Sequence, residues 1–315
     1  MLTEKRRYLW LGWLFMGLVA LTLASLIGGR GFYAGLLTHF KLHYILALAC
    51  CLIVWTPARR WGWVSLGLLA MLLNLSDILH LYQPPQDLVP AAETRSLKLV
   101  SANLLRSNDD YEAIDRYLQA EDPDVVVLLE TTAAIREGLQ PLMARYPHHR
   151  IETREGYFGL MLLSRYPIQA SDLHYLCDAD VPTIHATLKV GQQPVQVIAT
   201  HPPAPPKYHE MVWRNQQLQG LAALAADLPG PLILAGDLNI TSYHPRFNDL
   251  LRESGLYDSR RGFGIQATWP VRLGPLGISL DHCLLTPDIR VEQRRVGLDI
   301  GSDHAPIALT LAIPQ

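Results

Sequence analysis

Cysteine is scarce in this chain, with four in 315 residues, and no two are spaced C-x-x-C. That excludes the usual thiolate zinc site. Cys50 and Cys51 fall inside an apolar run and read as packing residues. Cys177 and Cys283 lie further on, and an oxidising compartment would permit a bridge between them. A basic excess is also missing. Residues 95–315 carry 20 Lys and Arg against 25 Asp and Glu, a net −5. Proteins that grip long nucleic acids usually show a basic stripe, and the balance gives no support for one. There is no internal repeat and no low-complexity tract, which sets aside solenoids and disordered arrays.

Charge is absent in another sense near the amino terminus. Tyr8 to Ile27, "YLWLGWLFMGLVALTLASLI", is twenty residues without a charge. About 20 apolar residues cross a bilayer as a helix. Leu42–Ala58 and Trp61–Ser76 are also uncharged, and Ile78, Leu79 and Tyr82 can extend the last. A cleaved signal peptide is the alternative for the first run, but the stretch is long and no small-x-small site follows. A buried helical hairpin is the alternative for the later two. Lys5, Arg6 and Arg7 precede the first run, and Arg59 and Arg60 separate the second and third. Both clusters favour the cytoplasmic face. Arg30 and Lys41 are expected in the loop between the first two runs and weaken that bias. Three spans then place everything after about residue 85 outside the cytoplasm. Trp10, Trp13, Trp55, Trp61 and Trp63 lie near span ends, where indoles favour headgroups.

The reading is therefore a multi-pass helical anchor over residues 1–82, a Pro-rich linker over 83–96 ("YQPPQDLVPAAETRS" surrounds it), and one α/β domain over 97–315. In that domain seven short Val-, Ile- and Leu-rich runs predict buried strands at 97–104, 124–130, 159–164, 195–200, 231–237, 279–285 and 306–312. Helical stretches at 109–120, 211–228 and 244–254 alternate with them. Alternation of this kind predicts an α/β sandwich.

The strand ends carry the chemistry. Asn103 ends the first run and Glu130 the second. His201 ends the fourth, and Asp237 with Asn239 ends the fifth. Asp281 and His282 interrupt the sixth, and Asp303 and His304 precede the last. Any one of these residues could simply form a turn. Six such ends converging would build a pocket of carboxylates, amides and imidazoles. An oxygen-rich pocket suits Mg²⁺ or Mn²⁺ rather than zinc. In "LILAGDLNIT" (232–241), Asp237 and Asn239 face the same way if the segment stays extended. The alternative is that Asp237 only caps a turn, with Asn239 left-handed.

The ordered pieces "SANL", "VVLLE", "GLMLLSRYPI", "ATHPP", "GDLN", "ATW", "SLDH" and "GSDHAPI", over about residues 97–312, resemble the endonuclease/exonuclease/phosphatase (DNase I-like) superfamily. The resemblance implies two packed sheets flanked by helices. It implies a divalent ion, Mg²⁺ or Mn²⁺, held mainly by Glu130, with Asn103 beside it and Asp303 by the metal or a second ion. It implies Asp237 as the residue that orients and deprotonates water, Asn239 and His201 near the phosphoryl oxygens, and His304 as a donor to them, held by Asp281. The expected function is a membrane-anchored phosphoester hydrolase acting on nucleic acid or a phospholipid headgroup, with no obligate protein partner indicated. The alternative is a catalytically inactive binding module at the membrane, which the retained Glu130, Asp237, Asn239, Asp281, Asp303 and His304 argue against. Two departures bear on substrate. "LLE" lacks the Gln that often precedes the Glu, and no Lys- and Arg-rich DNA-gripping insertion is evident.

Overall fold

The computed structural model describes residues 2–86, 88, 89 and 93–315, with side chains from Leu9 onward. The side chains of Lys5, Arg6 and Arg7 and part of the expected linker, Asp87 and Pro90–Ala92, lie outside the described residues.

The apolar runs form helices α1 (Leu2–Ile27), α2 (Phe32–Leu37), α3 (Lys41–Trp55) and α4 (Trp61–Leu79). A 3-10 turn, Thr38–Phe40, joins α2 to α3. Three segments are long and apolar enough to cross a membrane: Leu9–Ile27, Phe32–Trp55 and Trp61–Tyr82. The helices pack on a small core of Phe15, Val19, Leu48, Cys51, Trp55 and Ala70. Cys50 is exposed and does not join it. A Cβ at Gly67 would lie 2.8 Å from the end of the Leu52 side chain and 3.0 Å from the Phe15 ring, so the glycine leaves room for those two side chains. Outward faces carry exposed Trp10, Trp13, Ile53, Leu69 and Leu72, an extended apolar surface.

Lys41 departs from its expected place. It is not in a loop but opens α3 and is buried, with Nζ 2.8 Å from Asp77 Oδ2 and donating to Ser25 Oγ at 3.0 Å. A buried ammonium is costly, and α1 and α4 supply the partners that offset the cost.

The remainder is built on two six-stranded sheets, counted among the described residues. The strands are β1 (Thr94–Asn103), β2 (Val125–Leu129), β3 (His148–Glu152), β4 (Leu160–Ser164), β5 (Ile168–Tyr175), β6 (Pro182–Val190), β7 (Gln193–Thr200), β8 (Leu232–Asp237), β9 (Tyr257–Asp258), β10 (Asp281–Leu285), β11 (Arg290–Val296) and β12 (Ile307–Pro314). One sheet runs β11-β12-β1-β2-β4-β3 and the other β5-β6-β7-β8-β10-β9. Helices α5 (Tyr111–Glu121) and α6 (Ala133–Gly138) lie outside the first sheet, and α7 (Tyr208–Asp227) and α8 (Pro245–Ser254) outside the second.

The central strands are buried on both faces, which is why they read as continuous apolar runs. In β2, Val125, Val127 and Leu129 enter the core between the sheets, while Val126 and Leu128 face α5 and α6. Strands β3, β5, β9 and β11 are sheet edges, and β3, β5 and β11 are largely half-buried or exposed. Their polar sequences carry no apolar run, so they were not legible. The same holds for β6, where burial alternates along the outer half. β1 begins at Thr94, inside the expected linker, and Val89 N donates to the Pro287 carbonyl. Cys177 and Cys283 are free thiols and form no bridge.

Only two neighbouring pairs among the described strands are parallel, β1 with β2 and β7 with β8. Each is a strand–helix–strand crossover, and each opens its carboxyl ends toward the same place. Ligand sites in α/β sheets form at such ends.

Candidate active site

Asn103 closes β1 and Glu130 follows β2. Asn103 Nδ2 donates to Glu130 Oε1 at 3.0 Å and to Asp237 Oδ2 at 3.3 Å. The Arg106 backbone N–H donates to Glu130 Oε2 at 3.0 Å. Glu130 is left-handed, with φ 59°. Such strain in a non-glycine residue persists where the surroundings over-determine it, commonly at functional sites.

Asp237 closes β8 and is register partner to Asp281 at the start of antiparallel β10. The preceding Gly236 has φ 152°, and a Cβ there would lie 1.9 Å from the Thr200 carbonyl oxygen. Only glycine lets β8 press against the end of β7 and then turn. Asp237 is 1% exposed. Its Oδ1 accepts from Asn239 N at 2.8 Å, and its Oδ2 faces His201 Nε2 at 3.5 Å and His304 Nε2 at 3.6 Å. The segment is therefore not extended. Asn239 has φ 49°, so the turn-capping geometry is present. The outer oxygen of the same carboxylate nevertheless remains in the site, and Asn239 still turns inward. Asn239 Nδ2 donates to the Pro202 carbonyl at 2.9 Å and lies 3.3 Å from His201 Nε2.

His304 Nδ1 lies 2.9 Å from Asp281 Oδ2. Burial opposes the charge on His304, but Asp281 and Asp237 reverse that and push its pKa up to about 10. For Asp237, burial would raise the pKa. The His304 charge, then His201, and the Asn239 N–H hold it down at about 2. His201 is buried, which lowers its pKa, yet Asp237 and Glu130 leave it above its ordinary value. Its Nδ1 sits 2.9 Å from the Tyr157 carbonyl, which leaves Nε2 for the site. Asp303 adds to the negative charge that raises His304. It is exposed at the rim and accepts from Trp269 Nε1 at 2.9 Å. His282 points away, with Nε2 2.7 Å from the Ile240 carbonyl.

Several supporting residues were not singled out by sequence reading. Ser302 Oγ donates to the Asn103 carbonyl at 2.8 Å and accepts from His304 N at 3.1 Å, tying β1 to the His304 loop. Thr268 Oγ1 accepts from Leu280 N and Asp281 N. Buried Arg214 donates to the Asn239 carbonyl at 3.3 Å. Most distant in sequence, His39 reaches in from the helical segment, with Nδ1 3.0 Å from Thr241 Oγ1. His39 sits between two apolar runs beside Thr38 and Lys41, where a polar loop residue carries no signal.

The donor set fits a hard cation. Glu130 is buried, and among the described residues no Lys or Arg side chain forms an ion pair with it. Each of its oxygens accepts one hydrogen bond and keeps a lone pair free. Asp237, Asp281 and His304 also lie within ligating distance of one another. His304 Nδ1 is engaged by Asp281 Oδ2 at 2.9 Å, so Nε2 is the ring atom it offers to the site.

The two mixed sheets with flanking helices form a DNase I-like fold, and the acids and histidines gather at its strand ends. A model of the Endonuclease/Exonuclease/phosphatase family matches residues 100–304. The chain belongs to this family, whose members are generally divalent-metal-dependent phosphoester hydrolases. Comparison with curated protein sequences gives no match. Among solved structures, zebrafish (D. rerio) TDP2 complexed with single-strand DNA product is 19% identical, with TM-score 0.59, over 69% of this chain and 98% of that one. Sphingomyelinase C from Streptomyces griseocarneus is 20% identical, with TM-score 0.52, over 69% and 99%. An endonuclease/exonuclease/phosphatase from Beutenbergia cavernae is 23% identical, with TM-score 0.58, over 70% and 72%. At these identities the likeness is one of fold.

Proposed function

We propose that the chain is a membrane-anchored, divalent-metal-dependent phosphoester hydrolase with its catalytic domain outside the cytoplasm. The anchor is residues 1–82, the linker 83–96 and the catalytic domain 97–315. One observation carries the hydrolytic reading: Asp237 Oδ2 faces Asn103, His201 and His304 together, at 3.3, 3.5 and 3.6 Å. A carboxylate oxygen aimed into a cluster of donors is poised to handle a water proton beside an anion.

Glu130 and Asn103 would hold Mg²⁺ or Mn²⁺, with Asp303 available at the rim. Such an ion supplies Lewis-acid charge against the phosphoryl oxygens. Asp237, held as a carboxylate by His304 and His201, orients the attacking water and takes its proton as the new P–O bond forms and the ester P–O bond breaks, the leaving oxygen taking a proton from solvent. His304, kept cationic by Asp281, donates through Nε2 to a phosphoryl oxygen as charge builds there. His201 and Asn239 offer further N–H groups on the same side.

The three-pass reading is supported by where the helices meet the catalytic domain. The α1–α2 loop does so through Arg30, which donates to Asp249 at 2.7 Å. The 3-10 turn after α4, His80–Tyr82, does so through the Leu81 carbonyl, which accepts from Gly262 N and Gly264 N. Three passes bring these two ends to one face.

The test uses the full chain in detergent and bis(4-nitrophenyl) phosphate. Hydrolysis should require Mg²⁺ or Mn²⁺ and stop in EDTA, and Glu130→Gln should raise the metal concentration needed for half activity. Hydrolysis indifferent to EDTA would remove the metal from the mechanism. No hydrolysis with any divalent ion would remove the reading itself.

A further inference from the structure

The helical segment does more than approach the catalytic domain, because it forms part of the catalytic cavity. The cavity has a volume of about 830 Å³, within the range that encloses a whole drug-sized ligand. Glu130, Asp237, Asn239, His201 and His304 line one part of it. A phosphoryl group, one metal ion and a water fill only a minor share of such a space. The rest must take the body of the substrate.

The remaining wall is apolar and comes from two sources. Leu36 and Phe40, one helical turn apart, project from α2 and the turn that follows it. Trp213, Pro205, Ile278 and Leu280 complete it from the catalytic domain. Lys207 is the one Lys or Arg among the lining residues, against Glu130, Glu210 and Asp237. A polyanionic strand needs cations along its track, and this track supplies hydrocarbon and carboxylates instead. Leu36 and Phe40 also lie in the first turns of the candidate span Phe32–Trp55. That places the mouth of the cavity where lipid headgroups meet acyl chains. Phe40 is 41% exposed, so the apolar wall continues outward rather than closing.

We infer that the substrate is a lipid phosphoester taken from the bilayer, its phosphoryl group at Asp237 and His304 and its chain along the wall begun by Leu36 and Phe40. The segment is thus an anchor and a recognition surface at once. Neighbouring contacts hold that surface in place. His39 bonds Thr241, and Lys41, next to Phe40, pairs with Asp77. The inference rests on the hydrolase reading above and adds the substrate class.

The test reconstitutes the full chain with Mg²⁺ in vesicles of phosphatidylcholine and phosphatidylglycerol. It compares the release of headgroup products from those lipids with cleavage of the deacylated glycerophosphodiesters, a single-stranded DNA oligonucleotide and bis(4-nitrophenyl) phosphate. The lipids should be cleaved at least about tenfold faster than their deacylated counterparts, the gain from roughly two buried methylenes. Phe40→Ser should lower lipid cleavage several-fold more than bis(4-nitrophenyl) phosphate cleavage. Leu36→Ser should do the same, and the small-substrate rate reports whether each variant has folded. Equal rates for lipid and deacylated compound overturn the inference, as does a preference for the oligonucleotide or an equal loss on both substrates in both variants. Cleavage of bis(4-nitrophenyl) phosphate without lipid cleavage overturns the inference and leaves the hydrolase reading standing. Cleavage of nothing overturns both.

Discussion

The Asp237 carboxylate is divided between two tasks, with Oδ1 accepting the Asn239 N–H at 2.8 Å while Oδ2 faces Asn103, His201 and His304. A residue that caps its own turn holds its other oxygen in one direction, because rotating it would break the cap. The left-handed Asn239 follows from the same bond. Turn-capping and catalysis are thus compatible at this position.

Asp237→Asn and Asp237→Ala separate the two tasks. Asparagine retains an acceptor for the Asn239 N–H but loses the charge and the base. Phosphoester hydrolysis should fall at least ~10²-fold, and because both variants lose the carboxylate charge beside His304 and His201, the difference between their melting temperatures isolates the cap. Alanine should lose the same activity and also about 0.5–1.5 kcal/mol of stability, the worth of one hydrogen bond. Near-parental turnover in Asp237→Asn would remove Asp237 from the mechanism.

The buried Lys41–Asp77 pair predicts a second contrast. Asp77→Asn leaves the Lys41 ammonium, 1% exposed, without its carboxylate. The cost should be about 3 kcal/mol, at the low end for stripping a buried charge because the Asp77 side chain is 33% exposed. The double variant Lys41→Met, Asp77→Leu should recover most of it. Denaturation of the detergent-solubilised chain measures both, and a double variant no more stable than Asp77→Asn would refute the pairing as the cause.

Acid should weaken the fold through a buried cluster behind the site. Asp258 accepts from Arg260 Nη2 at 2.9 Å. Burial alone would raise its pKa, but Arg260 and then His282 hold it well below the usual carboxylate range. His282 is lowered to about 3 by burial and then by Arg260, against about 6.5 unfolded. The native state therefore binds fewer protons than the unfolded chain. What this cluster contributes is full above about pH 6.5 and falls toward pH 3 by up to ~1.4 kcal/mol per pH unit from His282. Asp258 adds its loss below about pH 4. His282→Gln should flatten the slope between pH 5 and about 6.5. An unchanged slope would show that His282 does not titrate in this way.

Orientation predicts the outcome of a fusion. Alkaline phosphatase, active only after export, joined to Gln315 should be active, because Arg59 and Arg60, between two candidate spans, favour the inner face. An inactive fusion present at normal abundance would place the catalytic domain in the cytoplasm.

The sequence by itself determined the elements that are buried on both sides. Strands β1, β2, β4, β7, β8, β10 and β12 each needed an unbroken apolar run to be covered by a helix layer and a second sheet. Each run had to stop where the backbone met polar groups, so Asn103, Glu130, His201, Asp237 and Asp281 stood out at their ends. Edge strands such as β5 and β11 bury one face at most, so their composition is that of a surface and they carried no comparable signal.

Tertiary structure alone decided how those ends meet. The register that sets Asp281 beside Asp237, the hydrogen bond that divides the Asp237 oxygens, and the role of Ser302 between two distant segments depend on contacts far apart in the chain. It also decided that Lys41 is buried and that Leu36, His39 and Phe40 line the same cavity as Asp237 and His304. In an apolar helix every outward residue satisfies the same hydropathy pattern, whether lipid, a neighbouring helix or a cavity lies against it. Only packing distinguishes the three.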